Sequence, residues 1–224
     1  MQVNDMQFRS RVSELIHIDR FLIREKIRRM QVQVTGVLLD VGCGKQPYRN
    51  EFKNIKKYIG LDRTNADVVH DLAVFPYPLE ETSADWILCT QVIDDLPDQD
   101  GFVRELQRLL TGNGRLILSV SFVWELHDLP HDYGRPSPEQ LRLLLERNGF
   151  KIVELQPVGN SWMTLGQVIN INVLNIMSKR SWWFKLISPL LLINSLLFYV
   201  VGSLFYNQQT ERLPLAFFVV ARKK

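Results

Sequence analysis

Apolar residues follow two rhythms along this chain. From Gly36 onward, short β-rich runs at 36–41, 57–61, 67–70, 84–90, 114–121, 150–157 and 214–222 alternate with stretches of helical spacing. That alternation is the pattern of a largely parallel sheet with helices on both faces. Phe102, Val103, Leu106, Leu109 and Leu110 make one helical stripe, with Gly112 and Gly114 expected to stop it. A second helix is predicted to open at Ser137, with Pro138 in its first turn and Gln140 three residues after the cap, and to end at Gly149. Serine followed by glutamine at that spacing is a capping-box signature.

The two ends of the chain break this alternation. Near the start, charges recur from Arg9 to Arg29, which excludes the apolar core of a signal peptide. Phe8, Val12, Leu15, Ile16, Leu22, Ile23, Ile27 and Met30 fall near helical spacing, so residues 1–33 read as a helical segment with Arg20, Arg24, Arg28 and Arg29 on a solvated face. Near the end, the 21 residues from Leu186 to Tyr206 carry no charge, long enough to cross a bilayer. Yet the following run, Pro214 to Ala221, reads as a buried strand of the same sheet, and a strand cannot pair with that sheet from across a membrane.

Residues 182–206 are therefore expected to form one or two apolar helices that do not span. Trp182, Trp183, Tyr199 and Tyr206 suit a membrane interface, Lys179, Arg180 and Lys185 suit anionic headgroups, and Pro189 and Asn194 argue against one unbroken span. Ser188, Ser195 and Gly202 recur every seven positions, a spacing suited to close helix packing. A homodimer contact, a lid over a substrate pocket and a true span remain open alternatives for this segment.

Composition narrows the class. The chain has 224 residues, 46% hydrophobic and 23% charged, which excludes disordered, collagenous and coiled-coil architectures. Two cysteines, Cys43 and Cys89, are too few for a disulfide scaffold and fit a reducing, cytoplasmic setting. The net charge is only +3, but residues 151–224 hold eight basic against two acidic side chains and the remainder is slightly acidic. That distribution favours a membrane surface or an acidic partner over nucleic acid, so a peripheral membrane location is the expectation.

Chemistry concentrates where Val37-Leu38-Leu39, an apolar strand, runs into Asp40-Val41-Gly42-Cys43-Gly44. Glycines are needed where the backbone turns tightly after a strand and a ligand approaches it closely, so this reads as a nucleotide-type site. A dinucleotide fingerprint would need a third glycine at position 47, which is Pro47, and a Gly-Lys-Ser/Thr ending for an ATP-type loop is also missing. A nicotinamide-dependent oxidoreductase is thereby disfavoured.

The chain resembles the class I S-adenosylmethionine-dependent methyltransferases, and within them the methyltransferase domain type 11 group. Asp40 to Gly44 is similar to the first motif of that family, Tyr58-Ile59-Gly60-Leu61-Asp62 to the second, and Ser83 to Val92 to its fourth strand. The resemblance implies a doubly wound, Rossmann-like sheet of seven mostly parallel strands with an antiparallel last strand. It also implies a methyltransferase domain over 34–224 with an apolar helical insertion at about 160–210. The cofactor it implies is S-adenosyl-L-methionine, set against Asp40, Gly42, Cys43, Gly44, Asp62, Asp71, Leu72 and Gln91. In that reading Asp62 takes the ribose hydroxyls, Asp40 faces the ammonium group, and Asp71 with Leu72 holds the adenine, though an aspartate after a strand is also a common turn former.

Two positions depart from the family pattern: Gln46 stands where a third glycine is usual, and Asp94-Asp95 where a Glu-His pair is usual. The acceptor loop is expected after the fifth strand, where Trp124 to Arg135 packs His127, His131, Asp132, Tyr133 and Arg135 together. It resembles a His-x-x-Pro-x-Asp-Tyr-x-Arg stretch found in methyltransferases associated with glycans and lipid-linked sugars. That implies a small-molecule, lipid-linked or glycan acceptor. His127, His131, Asp95 and Tyr133 are the catalytic candidates, while Asp132, Tyr133 and Arg135 read equally as a structural knot. Cys89 lies within a strand and reads as core. The four histidines do not pair at helical metal-ligand spacing, so no metal is expected. A non-catalytic relative that binds the cofactor and serves as an assembly subunit is the alternative function.

Overall fold

The structure, a computed structural model, describes residues 12, 15–176 and 181–224, without the side chains of 181 and 182. Phe8, Lys179, Arg180 and the Trp182 side chain lie outside the described residues. The chain forms two compact units: one takes the residues up to Glu25 with 123–125 and 157–216, the other 26–122, 126–156 and 217–224.

The larger unit carries the sheet. Its strands are β1 (Gly36–Val41), β2 (Ile55–Asp62), β3 (Val68–Val69), β4 (Ala84–Thr90), β5 (Leu110–Ser121), β6 (Phe150–Val158) and β7 (Ala216–Lys223). Their order across the sheet is β3-β2-β1-β4-β5-β7-β6. β1 pairs in parallel with both β2 and β4, and β4 in parallel with β5. β7 runs against its neighbours: Lys224 N–H donates to Gly149 O before β6 begins, and Leu215 N–H donates to Val158 O where β6 ends, both at 2.9 Å. The doubly wound α/β class with an antiparallel last strand is thus the one observed.

Local sequence explains the elements. Leu38, Leu39, Asp40 and Val41 are all buried, as a central parallel strand covered on both faces demands. Helix α1 (Ile18–Met30) precedes β1. Helix α2 (Gln99–Leu109) is capped by Asp98, whose carboxylate accepts the Gly101 N–H at 2.7 Å, and it buries Phe102, Val103, Leu106 and Leu109. Helix α3 (Pro138–Arg147) shows the full capping box between Ser137 and Gln140. These helices and the inner strands share one core, in which Leu39, Ile87, Phe102, Leu118, Phe150 and Val219 are fully or almost fully buried.

Two expectations change. Gly112 and Gly114 do not end α2, which stops at Leu109; they lie inside β5, in an excursion between Leu110, paired with Ala84, and Arg115, paired with Trp86. Five residue steps on β5 oppose two on β4 there, and glycine tolerates the irregular backbone that results. Between β6 and β7 lie helices α4 (Ser161–Ile176) and α5 (Ser181–Leu204), and α5 runs through Pro189 without a break. Pro189 itself is exposed, and Lys185 O, which its missing N–H would otherwise have met, accepts the Ser188 hydroxyl at 3.5 Å.

Ser137→Ala removes one half of the capping box and should cost roughly 0.5–2 kcal/mol of unfolding free energy in urea titration. Ser137→Asp should restore most of it, because a carboxylate also accepts the N–H of Gln140.

Candidate functional site

In the sheet order, β2 lies on one side of β1 and β4 on the other, so the connections leaving β1 and β4 depart in opposite directions. A crevice opens beyond the carboxyl ends of strands at such a switch point. After β1 the chain turns at once, with φ of +73° at Gly42, +52° at Gly44 and +54° at Gln46. A Cβ at Gly42 would stand 2.2 Å from the Val92 side chain, whereas one at Gly44 would meet nothing within 4 Å. The backbone at Gly44 is therefore bare toward open space. Gln46 adopts the left-handed conformation that a glycine would take with less strain, so the loop keeps its turn despite the substitution.

Two carboxylates flank this turn. Asp62, the last residue of β2, accepts the Gly44 N–H at 2.7 Å on one oxygen and the Arg63 N–H at 2.6 Å on the other. Asp40 is buried; Oδ2 accepts the Tyr58 hydroxyl, and Oδ1 has no hydrogen-bond partner. Burial pushes the Asp40 pKa up to about 7, opposed by the Tyr58 hydrogen bond and aided by the nearby Asp62 charge. The Cys43 thiol is likewise raised, to about 12, first by burial and then by the charges of Asp40 and Asp62, so it stays protonated. Cys89 is fully buried in β4 and its thiol is also raised by burial, in keeping with a core residue.

The remaining cofactor candidates sit at neighbouring strand ends. Gln91, directly after β4, has φ of +56° and its side chain is held by Ser121 and Ser119. A glutamine in that conformation is strained, a feature that concentrates at functional sites. Asp71 is exposed and accepts the Ala73 N–H at 3.0 Å, the Asx turn that its position allowed for. Leu72 is buried, and its carbonyl accepts the Tyr77 hydroxyl at 2.8 Å.

The loop after β5 gathers a second cluster. Asp132 and Arg135 form a two-pronged ion pair at 2.5 and 2.9 Å, and Asp132 also accepts the His127 backbone N–H at 3.1 Å. This pairing holds the Asp132 carboxyl down at about 2, chiefly through the Arg135 hydrogen bond. The His127 ring lies between the two loops: Nε2 is 3.3 Å from Asp95 Oδ1, and Nδ1 is 3.3 Å from the Arg135 guanidinium and 3.4 Å from Asp132. Asp95 is raised by burial and by the charge of Asp94, and Asp94 itself, 1% exposed, is raised by burial. His131 and Tyr133 stand apart from this cluster as an exposed pair, 3.3 Å between Nδ1 and the phenol oxygen.

Of the catalytic candidates, then, His127 and Asp95 meet and His131 and Tyr133 do not join them. The knot is Asp132 with Arg135, without the Tyr133 side chain, whose backbone N–H instead donates to Asp94 O at 2.8 Å. Sequence reasoning missed the Tyr58 clasp on Asp40. Its signal lies only in the register: Tyr58 pairs with Leu38, two residues before Asp40, and so projects from the same face of the sheet. Among the described residues, no group of three or more His, Cys, Asp or Glu side chains is arranged to hold a metal ion.

The family model of the methyltransferase domain matches residues 15–155. No curated protein matches the chain in sequence. Among solved structures, the chain is similar to SpnF, a 4+2 cyclase, with a TM-score of 0.59 at 18% identity over 92% of this chain and 80% of that one. A SAM-dependent methyltransferase from Aquifex aeolicus gives 0.55 at 16% identity over 96% and 98%. An N1-methyltransferase from Burkholderia thailandensis, holding 1,6-didemethyltoxoflavin and S-adenosylhomocysteine, gives 0.56 at 14% identity over 92% and 78%. At these identities the likeness is one of fold.

The raised Asp40 pKa sets a pH dependence. Between about 4 and about 7 the folded chain keeps a proton that an unfolded aspartate has lost, so this group makes stability fall as pH rises through that window. Asp40→Asn, which cannot titrate, should remove roughly 2–4 kcal/mol of that decline. Urea unfolding of both proteins at pH 4.5, 6 and 7.5 checks it, and parallel slopes would show that Asp40 titrates normally.

Proposed function

The chain belongs to the methyltransferase-domain family and is a class I S-adenosylmethionine-dependent methyltransferase, and from that premise we propose that it methylates a small-molecule or lipid-linked acceptor. The observation that carries the site assignment is the bare backbone at Gly44 beside two carboxylates with capacity to spare. The residues fit the cofactor. Asp62 uses one interaction on each oxygen, and a carboxylate accepts about four, so it can still take two ribose hydroxyls. Asp40 Oδ1 is a buried acceptor with no partner, suited to an ammonium group directly or through water. Gly42, Cys43 and Gly44 line the passage between them, with Gln91 at the end of β4, and Asp71 and Leu72 take the adenine side.

When bound, the cofactor supplies a methyl group on a sulfonium, a good leaving group, so the protein's work is positioning and removal of a proton. His127 Nδ1 faces the Asp132–Arg135 pair and Nε2 faces Asp95. In this arrangement Asp95, whose carboxyl is raised by burial, receives the acceptor's proton, and His127 orients it. The Asp132–Arg135 pair fixes His127 in turn. His131 and Tyr133, both exposed, are left for acceptor contact.

A second reading has one observation behind it. SpnF shares this fold as a cyclase, so the fold alone does not commit a chain to methyl transfer. Incubating the protein with methyl-labelled S-adenosylmethionine and separate soluble and membrane extracts, followed by mass spectrometry of labelled products, decides between them. Cofactor binding with no labelled product from either extract supports a chain that holds the cofactor without transferring its methyl group.

Asp62→Ala should weaken S-adenosylmethionine binding by about 1.5–3 kcal/mol in calorimetry, the worth of hydrogen bonds to a charged group. Circular dichroism should stay unchanged. Asp95→Asn and His127→Asn should each lower turnover by roughly 10²-fold or more while leaving cofactor affinity within about twofold. His131→Asn should keep its proton-transfer rate; loss of turnover in that variant alone would move the base to His131.

A further inference from the structure

The smaller unit buries polar side chains beside apolar ones such as Met163, Ile171 and Leu191. Helices α4 and α5 pack antiparallel, and hydrogen bonds from buried or partly buried amides join them: Asn160 donates to Gly202 O at 2.8 Å, and Asn194 to Gly166 O and Asn170 Oδ1, both at 2.8 Å. Asn170 donates in turn to Ser195 Oγ at 2.7 Å and to Ile16 O at 3.0 Å. Asn160, Gln167 and Asn170 are fully buried, as are most of Thr164, Ser188 and Ser195. Small residues bring the helices close, since a Cβ on Gly166 would lie 2.4 Å from the Phe198 side chain.

The outside is apolar. Leu190, Ile193, Leu196, Leu197 and Val200 of α5 and Ile176 of α4 are all exposed, and only 17% of the apolar stretch of α5 is buried. A helix pair made for water puts apolar residues in the seam and polar ones outside. In hydrocarbon, burying apolar surface gains nothing, and helices associate through interhelical hydrogen bonds and small residues, which is the seam seen here.

Charge and topology choose between modes of contact. From Ser161 to Leu204 the only charged residues in the sequence are Lys179, Arg180 and Lys185, all basic and all within seven positions. That complements anionic headgroups. Strand β6 leads into the hairpin and β7 leaves it, and the two are neighbours in one sheet, so both ends of the hairpin stay on one side of a membrane. Crossing and returning would require both helices to span. Among the described residues α4 covers 16 positions, a rise of about 24 Å beside a hydrocarbon core of roughly 30 Å. An apolar groove of about 250 Å³, lined by Ile18, Phe21, Leu192, Leu196 and Tyr199 among others, lies along the same helix and is of a character to take an acyl chain.

We propose that the α4–α5 hairpin seats this protein in one leaflet of a bilayer containing anionic lipid, as a monotopic anchor. This stands independently of the acceptor assigned above. The test is flotation of the full-length protein with phosphatidylcholine vesicles containing one-quarter phosphatidylglycerol, against vesicles of phosphatidylcholine alone. The protein should float with the mixed vesicles, remain bound after a wash in 0.5 M salt, and bind pure phosphatidylcholine several-fold less. Ile193→Glu with Leu197→Glu, both at exposed positions, should cut the bound fraction at least tenfold while leaving S-adenosylmethionine affinity unchanged, which verifies that the variant is folded. A wild-type chain that stays unbound overturns the proposal. So does a soluble dimer that the two substitutions convert to monomer, because a second copy would then cover the face. Protease access to the hairpin turn only from the lumen of sealed vesicles would overturn the monotopic placement in favour of a span.

Discussion

Parallel pairing of β1 with β2 on one side and β4 on the other is the constraint from which the candidate site follows. A strand hydrogen-bonded and covered on every side has to be apolar, and β1 is, except at Asp40. A carboxyl there is tolerated only because Tyr58 of the neighbouring strand reaches it and because its pKa rises enough to keep it partly neutral. The same pairing ends β1 and β2 at a common level, so the turn at Gly42 to Gly44 meets Asp62, and the turn's N–H and the aspartate's oxygen satisfy each other. The loop shape and the charge pattern are thus one feature seen twice.

The second cluster depends on the first only through the strand ends that carry it. Asp95 follows β4, and the loop after β5 brings His127 against it. What gives the imidazole a defined orientation is the neighbouring Asp132–Arg135 pair. Asp132, 2% exposed at its side chain, is covered and held ionised by Arg135, and both groups lie against the Nδ1 edge of the ring. A loop of this length would otherwise be mobile, and a proton-handling group needs a fixed direction more than it needs a strongly shifted pKa.

Much of this is legible in the sequence, for identifiable reasons. The strand into Asp40-Val41-Gly42-Cys43-Gly44 is readable because burial on two faces makes an unmistakable apolar run and the turn requires glycine. The capping box at Ser137 is readable because local hydrogen bonding alone dictates it. Gly112 and Gly114 mislead, because the same residue serves a helix end and a strand irregularity, and only the pairing of Ala84 with Leu110 separates the two. Pro189 misleads as well: its cost to a helix is real, but α5 runs through it, with the Ser188 hydroxyl on the Lys185 carbonyl that the proline cannot meet. The grouping of His127 with Asp95 joins residues 32 positions apart, and only the sheet order brings them together.

The apolar tail shows where hydropathy by itself stops. A 21-residue uncharged run is equally consistent with a core helix, a membrane span or a surface anchor, because composition counts apolar residues without saying which way they face. The structure supplies direction: Asn170, Asn194 and Ser195 face inward and are paired, and Leu186, Leu190, Leu196 and Leu197 face outward. The larger unit follows the opposite rule, with Leu39, Phe102 and Val219 inside. The exposed face of α5 and the core of the larger unit therefore follow different solvation rules. Hydrogen bonds within the seam satisfy Asn160, Asn170 and Asn194, which is what a helix pair needs where water does not reach.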